Sequence, residues 1–269
     1  MAPVLRSIAL PDQVTLPYVE QGDPAGLPVL LLHGLADSWH SFARVLPHLP
    51  LSLHAFALTQ RGHGDASRPR AGYRSQDFAS DVVAFMDALQ LEAAVIVGGS
   101  SGGFVARRVA LDHPERTGGL VLWGSPFTLH DKPGVQALWD STVSHLTDPL
   151  DPDFVRAFAL STLAQPVPPT FLATMVRENL KVPAFVWRAT FAGLLADAAA
   201  GDLHQVTAPT LIVWGDQDAI LPRSDQERLA AAIAGARLVV YAGAGHAVYW
   251  EEPERVASDL VSFIADLSR

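Results

Sequence analysis

A serine pair flanked by glycines stands at a sharp predicted turn between a strand and a helix. The β-branched run Val95–Val97 predicts a buried strand, and the residues Phe104–Leu111 have the pattern of a helix. A turn this short forces its corner residue into strained backbone geometry, and neighbouring glycines remove the side chains that would collide there. A serine at the corner is exposed above the sheet edge, close to the helix N-terminus. Such a position suits a nucleophile.

The pattern G-x-S-x-G fits twice, centred on Ser100 and on Ser101, because two glycines stand on each side of this pair. We favour Ser100, since it lies nearer the end of the strand and leaves Gly103 as a small residue where the helix packs on the sheet. A phosphate-binding loop is a poorer match. The glycine spacing differs from G-x-G-x-x-G, and no G-K-[ST] follows.

A serine hydroxyl is a poor nucleophile at neutral pH and needs a base, which a carboxylate in turn holds and stabilises. Ligands of open α/β sheets bind beyond the carboxyl ends of the strands, so the residues that follow each predicted strand are the candidates. His246 follows the last predicted strand, and Asp216 and Asp218 follow the strand before it. We therefore predict that His246 takes the serine proton and that one of the two carboxylates orients its ring.

The composition of the 269-residue chain argues against several other chemistries. It has no cysteine, which removes thiol catalysis, disulfides and cysteine-ligated metal sites. The formal net charge is −9 without any run of lysine or arginine, so we expect no nucleic-acid partner. We find neither a signal-like N-terminus nor an apolar run of membrane-spanning length, and we expect a cytoplasmic protein without membrane contact.

Strands and helices alternate along most of the chain, which favours an α/β fold. Short apolar runs such as Val29–Leu32 are typical of strands buried on both faces of a parallel sheet. A helix is expected from about Ser38 to Leu49. Residues 127–205 instead contain four helical stretches, several prolines and no convincing strand. We predict a mostly parallel eight-stranded sheet flanked by helices, formed by residues 1–126 and 206–269, with a helical cap inserted at 127–205.

Together these features resemble the α/β-hydrolase superfamily, in particular small serine esterases, enol-lactonases and carbon–carbon bond hydrolases. The resemblance rests on the Val-Gly-x-Ser-x-Gly-Gly spelling around Ser100 and on the chain order serine, aspartate, histidine. It implies that Ser100, Asp218 and His246 form the catalytic triad. Asp218 matches the G-x-x-D spacing of the family, whereas Asp216 stands too early and is expected to brace its loop. Haloalkane dehalogenases and epoxide hydrolases are disfavoured, since they need aspartate in place of the serine.

The resemblance also implies an oxyanion hole made by two backbone N–H groups. The residues His33-Gly34-Leu35 resemble the H-G-x loop of the family, so the expected donors are the N–H groups of Leu35 and Ser101. His33 itself is expected to brace that loop. The turn Arg61–Gly64 resembles the R-G-x-G turn of the family. Thr59 stands where the family usually has aspartate, and we therefore interpret the turn as scaffold.

Large aromatic side chains could line an apolar substrate pocket between the core and the cap. Ordinary packing within the cap explains any one of them equally well. The candidates for the pocket are Trp39, Phe127, Trp139, Phe158, Trp187 and Phe191.

The predicted function is hydrolysis of a small-molecule carboxylic ester or lactone through an acyl-enzyme, without a cofactor or a metal. Carbon–carbon bond hydrolysis or perhydrolysis on the same triad is an alternative, and so is a non-enzymatic ligand receptor on a hydrolase scaffold. The carbon–carbon reaction usually requires a group that holds a substrate carboxylate. The sequence determines neither the substrate nor the oligomeric state. Candidates for the carboxylate-binding group are Arg107, Arg108, Arg156, Arg177 and Arg188.

Overall fold

The computed structural model describes residues 2–197 and 199–267, and within these ranges eight strands form one sheet. Their order across the sheet places the fifth strand at its centre, between the third and the sixth. The second strand runs antiparallel to its two neighbours, and all other neighbouring strands are parallel. The predicted α/β fold with a mostly parallel eight-stranded sheet is confirmed. The strands are β1 (Val4–Ala9), β2 (Thr15–Gly22), β3 (Leu27–Leu32), β4 (Leu53–Leu58), β5 (Ala94–Gly99), β6 (Thr117–Trp123), β7 (Thr210–Gly215) and β8 (Arg237–Tyr241).

The central strand β5 is buried on both faces. Ile96 packs into the apolar layer on one side of the sheet, and Val95 and Val97 pack into the layer on the other side. All three side chains are completely buried, which explains why this strand is a continuous apolar run rather than an alternating one. Because β3 and β5 to β8 are parallel, their carboxyl ends meet at one edge, where a ligand of such a sheet binds.

Helices cover both faces of this sheet. Helices α1 (Ser75–Ala88) and α2 (Gly102–Asp112) pack together on the face that contains Ile96. Helix α9 (Pro253–Leu267) contributes its apolar side to the opposite layer. None of the helices in the described ranges has the length and apolar character needed to cross a bilayer. Two further helices of the core are α7 (Arg223–Ala232) and α8 (Val248–Glu251).

The segment after β3 differs from the prediction of one helix over Ser38–Leu49. The structure has two short 3-10 segments instead, Trp39–Phe42 and Leu46–His48. Pro47 lies at the start of the second segment, and its ring nitrogen has no hydrogen to donate to the preceding turn. A continuous helix therefore stops before this residue, although the apolar spacing on either side is helical.

The chain between β6 and β7, which we call the insertion, contains α3 (Pro133–Ser141), α4 (Pro152–Ser161), α5 (Pro169–Leu180) and α6 (Ala184–Leu195). No strand occurs in its described residues. Proline occupies the first position of α3, α4 and α5, where its missing N–H would have no helical partner in any case. These three prolines therefore mark helix starts.

Candidate active site

The turn from β5 into α2 holds Ser100 in strained backbone geometry. Its φ is +50°, in the left-handed region. This conformation raises the free energy of any residue that has a side chain. The neighbouring glycines leave no room for anything larger. A Cβ on Gly98 would lie 2.4 Å from the carbonyl oxygen of Gly102, and a Cβ on Gly102 would lie 2.2 Å from the carbonyl oxygen of Leu32. The sharp turn is therefore possible only with glycine at both positions.

Three side chains from separate loops meet at this turn. The Ser100 Oγ lies 2.8 Å from His246 Nε2, and His246 Nδ1 lies 2.9 Å from Asp218 Oδ2. A carboxylate only accepts hydrogen bonds, so the ring hydrogen lies on Nδ1 and Nε2 accepts from the serine hydroxyl. The structure thus brings together the serine, aspartate and histidine that the sequence analysis paired.

The carboxyl group of Asp218 is held by its own loop. Its Oδ1 accepts hydrogen bonds from the backbone N–H groups of Ile220, at 2.8 Å, and Leu221, at 2.9 Å. The Asp218 side chain is completely buried, and that of His246 is 5% exposed. These contacts leave Oδ2 directed at the imidazole, so the second oxygen has a single orientation.

The two alternative residues, Asp216 and Ser101, take no part in these hydrogen bonds. Asp216 is exposed, and its Oδ1 accepts from the N–H of Gly243 at 2.7 Å and from the Gln217 side chain at 3.0 Å. It therefore joins the loop after β7 to the loop after β8. Ser101 is the residue before α2, with an ordinary helical φ of −62°, and the strain of the turn falls on Ser100 alone.

The loop His33–Leu35, which we call the HGL loop, approaches the serine closely. A Cβ on Gly34 would lie 3.2 Å from the Ser100 Cβ. Leu35 and Ser101 both line the space next to Ser100, and among the described residues no hydrogen bond uses the N–H of either one. Two backbone donors are thus available beside the serine hydroxyl.

His33 is a buried neutral brace for the HGL loop. Its Nδ1–H donates to the carbonyl oxygen of Gly34 at 2.7 Å, and its Nε2 accepts from the N–H of Gln60 at 3.0 Å. The Gln60 side chain also donates to the His33 carbonyl oxygen at 2.9 Å. Burial lowers the pKa of His33 well below its usual value, with a smaller contribution from His63. The ring therefore stays uncharged and keeps this hydrogen-bond pattern near neutral pH.

A cavity of about 450 Å³, which we call the main cavity, opens above Ser100. It lies between the HGL loop and the insertion, and aliphatic side chains make up much of its wall. Within the described residues, no group of three histidine, aspartate or glutamate side chains is arranged to hold a metal ion. Residues that represent this wall are Leu129, Leu138, Phe158, Phe191, Leu194 and Ile220.

The structure places two of the six aromatic candidates in the wall of the main cavity. Phe191 and Phe158 line the main cavity, but Trp39, Phe127, Trp139 and Trp187 do not. Each of the four has another partner. The ring of Trp187 packs against Phe158, Trp139 stacks on Phe191, Phe127 lies under the Arg228 guanidinium, and Trp39 stacks on His40.

Two aromatic side chains of the cavity wall were missed. Tyr249 and Trp250 belong to α8, which begins two residues after His246. The apolar run Ala247–Trp250 directly behind the histidine is the signal that could have identified them. A helix of four residues is too short for its periodicity to be recognised in the sequence.

Asp37 places a carboxyl group in the wall of this cavity. Its Oδ2 accepts from the Ser41 hydroxyl at 2.9 Å, and its Oδ1 accepts from Asn179 Nδ2 at 3.1 Å. Burial raises the pKa of Asp37 from 3.8 to about 7, and the hydrogen bonds from Asn179 and Ser41 offset part of this effect. The carboxyl group is therefore partly protonated at neutral pH.

Replacing Asp37 by asparagine is expected to remove a pH-dependent loss of stability. Between the ordinary pKa of 3.8 and the folded value of about 7, the folded state keeps a proton that the unfolded chain releases. Stability from this group therefore falls as the pH rises through that range, and asparagine cannot ionise. The free energy of unfolding of the variant, measured relative to that of the wild type, should therefore increase by up to about 3 kcal/mol from about pH 5 to about pH 8. Urea unfolding of both proteins at the two pH values measures this, and an equal difference at both would contradict it.

In α/β hydrolases, a serine, a histidine and an aspartate are hydrogen-bonded to one another at the carboxyl ends of the strands of an open, mostly parallel sheet. This chain has the same arrangement. Comparison with known families agrees with this. The chain belongs to the α/β-hydrolase fold family, whose model matches residues 28–253.

Individual relatives have several activities. A 2-hydroxymuconate semialdehyde hydrolase from Pseudomonas sp. (strain CF600) is 30% identical over 252 residues, which cover 90% of this chain and 88% of that protein. A non-heme chloroperoxidase from Streptomyces lividans is 29% identical over 284 residues, covering 97% of this chain and 99% of that protein. Among solved structures, an esterase from Exiguobacterium antarcticum superposes with a TM-score of 0.87 at 24% identity, covering 97% of this chain and all of that one. This last likeness is one of fold.

Proposed function

We propose that this protein is a serine hydrolase that cleaves a carboxylic ester or a lactone through an acyl-enzyme. The observation that carries the proposal is the pair of hydrogen bonds from Ser100 through His246 to Asp218 at the floor of the main cavity. A neutral imidazole that accepts from a serine hydroxyl is the state from which such a serine attacks a carbonyl carbon.

In this mechanism the Ser100 Oγ attacks the carbonyl carbon while its proton moves to His246 Nε2. The Asp218 carboxylate stabilises the imidazolium that forms, and the imidazolium then gives the proton to the departing alkoxide oxygen. In the second half, a water molecule loses a proton to Nε2 and attacks the acyl carbon. The ester bond to Ser100 breaks, the acid product leaves, and the serine recovers its proton.

The N–H groups of Leu35 and Ser101 are proposed to bind the oxygen that becomes negative in this reaction. Both belong to the main chain beside Ser100, and neither has another partner among the described residues. A fixed donor of this kind typically contributes about 10²–10³ to the rate. The short approach of Gly34 to Ser100 supports their placement, because a larger residue there would push the HGL loop away.

The charges around the main cavity favour a neutral substrate. Within the described part of the chain, Lys132 is the only lysine or arginine that lines the cavity, and its ammonium group is paired with Asp225, at 2.8 Å, and with Asp131. None of the five arginines considered above belongs to the lining. A substrate carboxylate would therefore lie in an apolar space without a free counter-charge, which is costly. This supports an ester or lactone over an acidic substrate of a carbon–carbon bond hydrolase.

A substrate panel tests this choice. We expect turnover of p-nitrophenyl esters and of simple lactones, and a kcat/KM for a 2-hydroxy-6-oxo-dienoic acid that is lower by at least about 100-fold, because its charge stays unpaired. The methyl ester of the same acid is the control: it lacks the charge and carries an ester bond, and we expect hydrolysis at that ester bond without cleavage of the carbon–carbon bond. Rapid cleavage of the acid together with slow cleavage of the esters would overturn the proposal.

A further inference from the structure

A second, smaller cavity lies directly behind the HGL loop. The centre of a water molecule can occupy about 10 Å³ of this cavity. This volume is enough for one water molecule. Gly34, Ser101 and Leu194 line both this small cavity and the main one, so a single layer of residues separates the two. The polar residues around the small cavity are Gln60, His63, Ser75, Ser101 and Thr190.

Four of these residues, all except Ser101, each carry a buried polar side-chain atom that has no hydrogen-bond partner in the protein. The atoms are Gln60 Oε1, His63 Nε2, Ser75 Oγ and Thr190 Oγ1, and none of the four residues is more than 6% exposed. Buried polar atoms without a partner are rare, because each costs the free energy of leaving water. Four such atoms around one cavity indicate that they share a ligand.

The neighbours of these side chains decide which of the four atoms accept and which donate. The Gln60 Nε2 already donates to the His33 carbonyl oxygen, so the amide oxygen of Gln60 is the free acceptor. The His63 Nδ1–H donates to the Arg61 carbonyl oxygen at 2.8 Å, and burial lowers the pKa of His63 to about 4, so Nε2 is unprotonated and accepts. The hydroxyl groups of Ser75 and Thr190 can both donate.

We propose that the small cavity binds one ordered water molecule, which donates to Gln60 Oε1 and His63 Nε2 and accepts from the hydroxyl groups of Ser75 and Thr190. Two donors and two acceptors are what a water molecule requires to complete its four hydrogen bonds. A metal cation could bind the lone pairs of these atoms, but among the described residues no aspartate or glutamate lines the small cavity to balance its charge, and an apolar group would leave all four atoms unpaired. The volume admits nothing larger.

This water connects the insertion to the HGL loop. Thr190 belongs to α6, Ser75 begins α1, and Gln60 follows β4, so three separate segments meet at one molecule. Gln60 in turn holds His33, whose ring donates to the Gly34 carbonyl oxygen. The water is therefore a positioning element for the Leu35 N–H, and this part of the inference rests on the proposed function.

A high-resolution crystal structure of the wild-type protein tests the water site directly, whatever the activity is. We expect one spherical density peak about 2.7–3.1 Å from all four atoms. Three results would overturn the proposal: an empty cavity, side chains rotated to pair with one another, or a peak with contacts of about 2.3–2.5 Å, which signifies a cation.

The link to the HGL loop is tested with Thr190→Val, which keeps the shape of the side chain and removes its hydroxyl. We expect the unfolding equilibrium constant to rise about fivefold and kcat for esters to fall severalfold with little change in KM. Thr190→Ser should restore both. Thr117→Val is the matched control, since Thr117 Oγ1 is also buried without a partner but lies at the start of β6.

The two parts of the inference can fail separately. If Thr190→Val and Thr117→Val have the same unfolding constant relative to the wild type, the water contributes nothing and the proposal is wrong. If Thr190→Val is destabilised but keeps the wild-type kcat, the water is a structural ligand and its role in positioning the HGL loop is refuted. A wild-type protein without ester hydrolysis would refute the proposed function and leave the crystallographic test of the water intact.

Discussion

Replacing Ser100 by alanine is expected to lower kcat for ester hydrolysis by about four to six orders of magnitude. The change removes the only hydroxyl within hydrogen-bond distance of His246 Nε2 in the described part of the chain, at 2.8 Å. It should leave the fold intact, because a φ of +50° is as accessible to alanine as to serine and the flanking glycines are unchanged. Initial rates with p-nitrophenyl acetate and a thermal melt measure both effects.

Ser101→Ala is the matched control. It removes a neighbouring hydroxyl from the same turn while its backbone N–H, the proposed oxyanion donor, remains. We expect its kcat to stay within about tenfold of the wild type and a fluorophosphonate probe to label it normally. The probe should fail to label Ser100→Ala. Labelling that persists in Ser100→Ala and disappears in Ser101→Ala would show that Ser101 is the nucleophile.

The fold could be predicted because its signal is local. Strands such as Val29–Leu32 and Val95–Val97 are buried on both faces, so they appear in the sequence as short continuous apolar runs between turn residues. The turn at Ser100 has an equally local cause, since only glycine fits at positions 98 and 102. The pairing of residues 218 and 246 required one further step, namely that parallel strands place their carboxyl ends at one edge.

The lining of the main cavity could not be predicted in the same way. Whether an aromatic residue of the insertion faces the cavity or its own neighbours depends on how helices α3 to α6 pack, and the spacing of residues along the chain does not reveal that packing. Trp187 is completely buried against Phe154 and Phe158, and Phe191 reaches the cavity from the same helix. Trp187 and Phe191 lie about one helical turn apart, yet only Phe191 lines the cavity.

The small cavity could not be predicted from the sequence for a different reason. His63 stands in the turn Arg61–Gly64, which the sequence identifies only as scaffold, and the structure indeed ties Arg61 to both carboxylate oxygens of Asp81 at 2.6 Å. The unpartnered Nε2 of His63 indicates a binding site only when the fold brings Ser75 and Thr190 beside it. Four residues spread over more than a hundred positions leave no spacing to recognise.

Replacing Asp218 by asparagine is expected to lower kcat by about 10⁴-fold without unfolding the protein. The backbone N–H groups of Ile220 and Leu221 will keep the amide oxygen where Oδ1 now lies. The amide nitrogen must then face His246 Nδ1, and since it can only donate, the ring hydrogen moves to Nε2. An Nε2–H cannot accept the proton of Ser100, so the serine stays inactive although every side chain remains in place.

Asp216→Asn is the control for this experiment. Asp216 is exposed, and an asparagine oxygen can still accept from the N–H of Gly243, so kcat should change by less than about threefold. Steady-state kinetics together with thermal melts of both variants separate a tautomer effect from a loss of structure. The reverse pattern, a large loss in Asp216→Asn and a small one in Asp218→Asn, would mean that the loop after β7 presents the other carboxylate to the imidazole during the reaction. In that case, the hydrogen bond of 2.9 Å between His246 and Asp218 would stabilise only the resting enzyme.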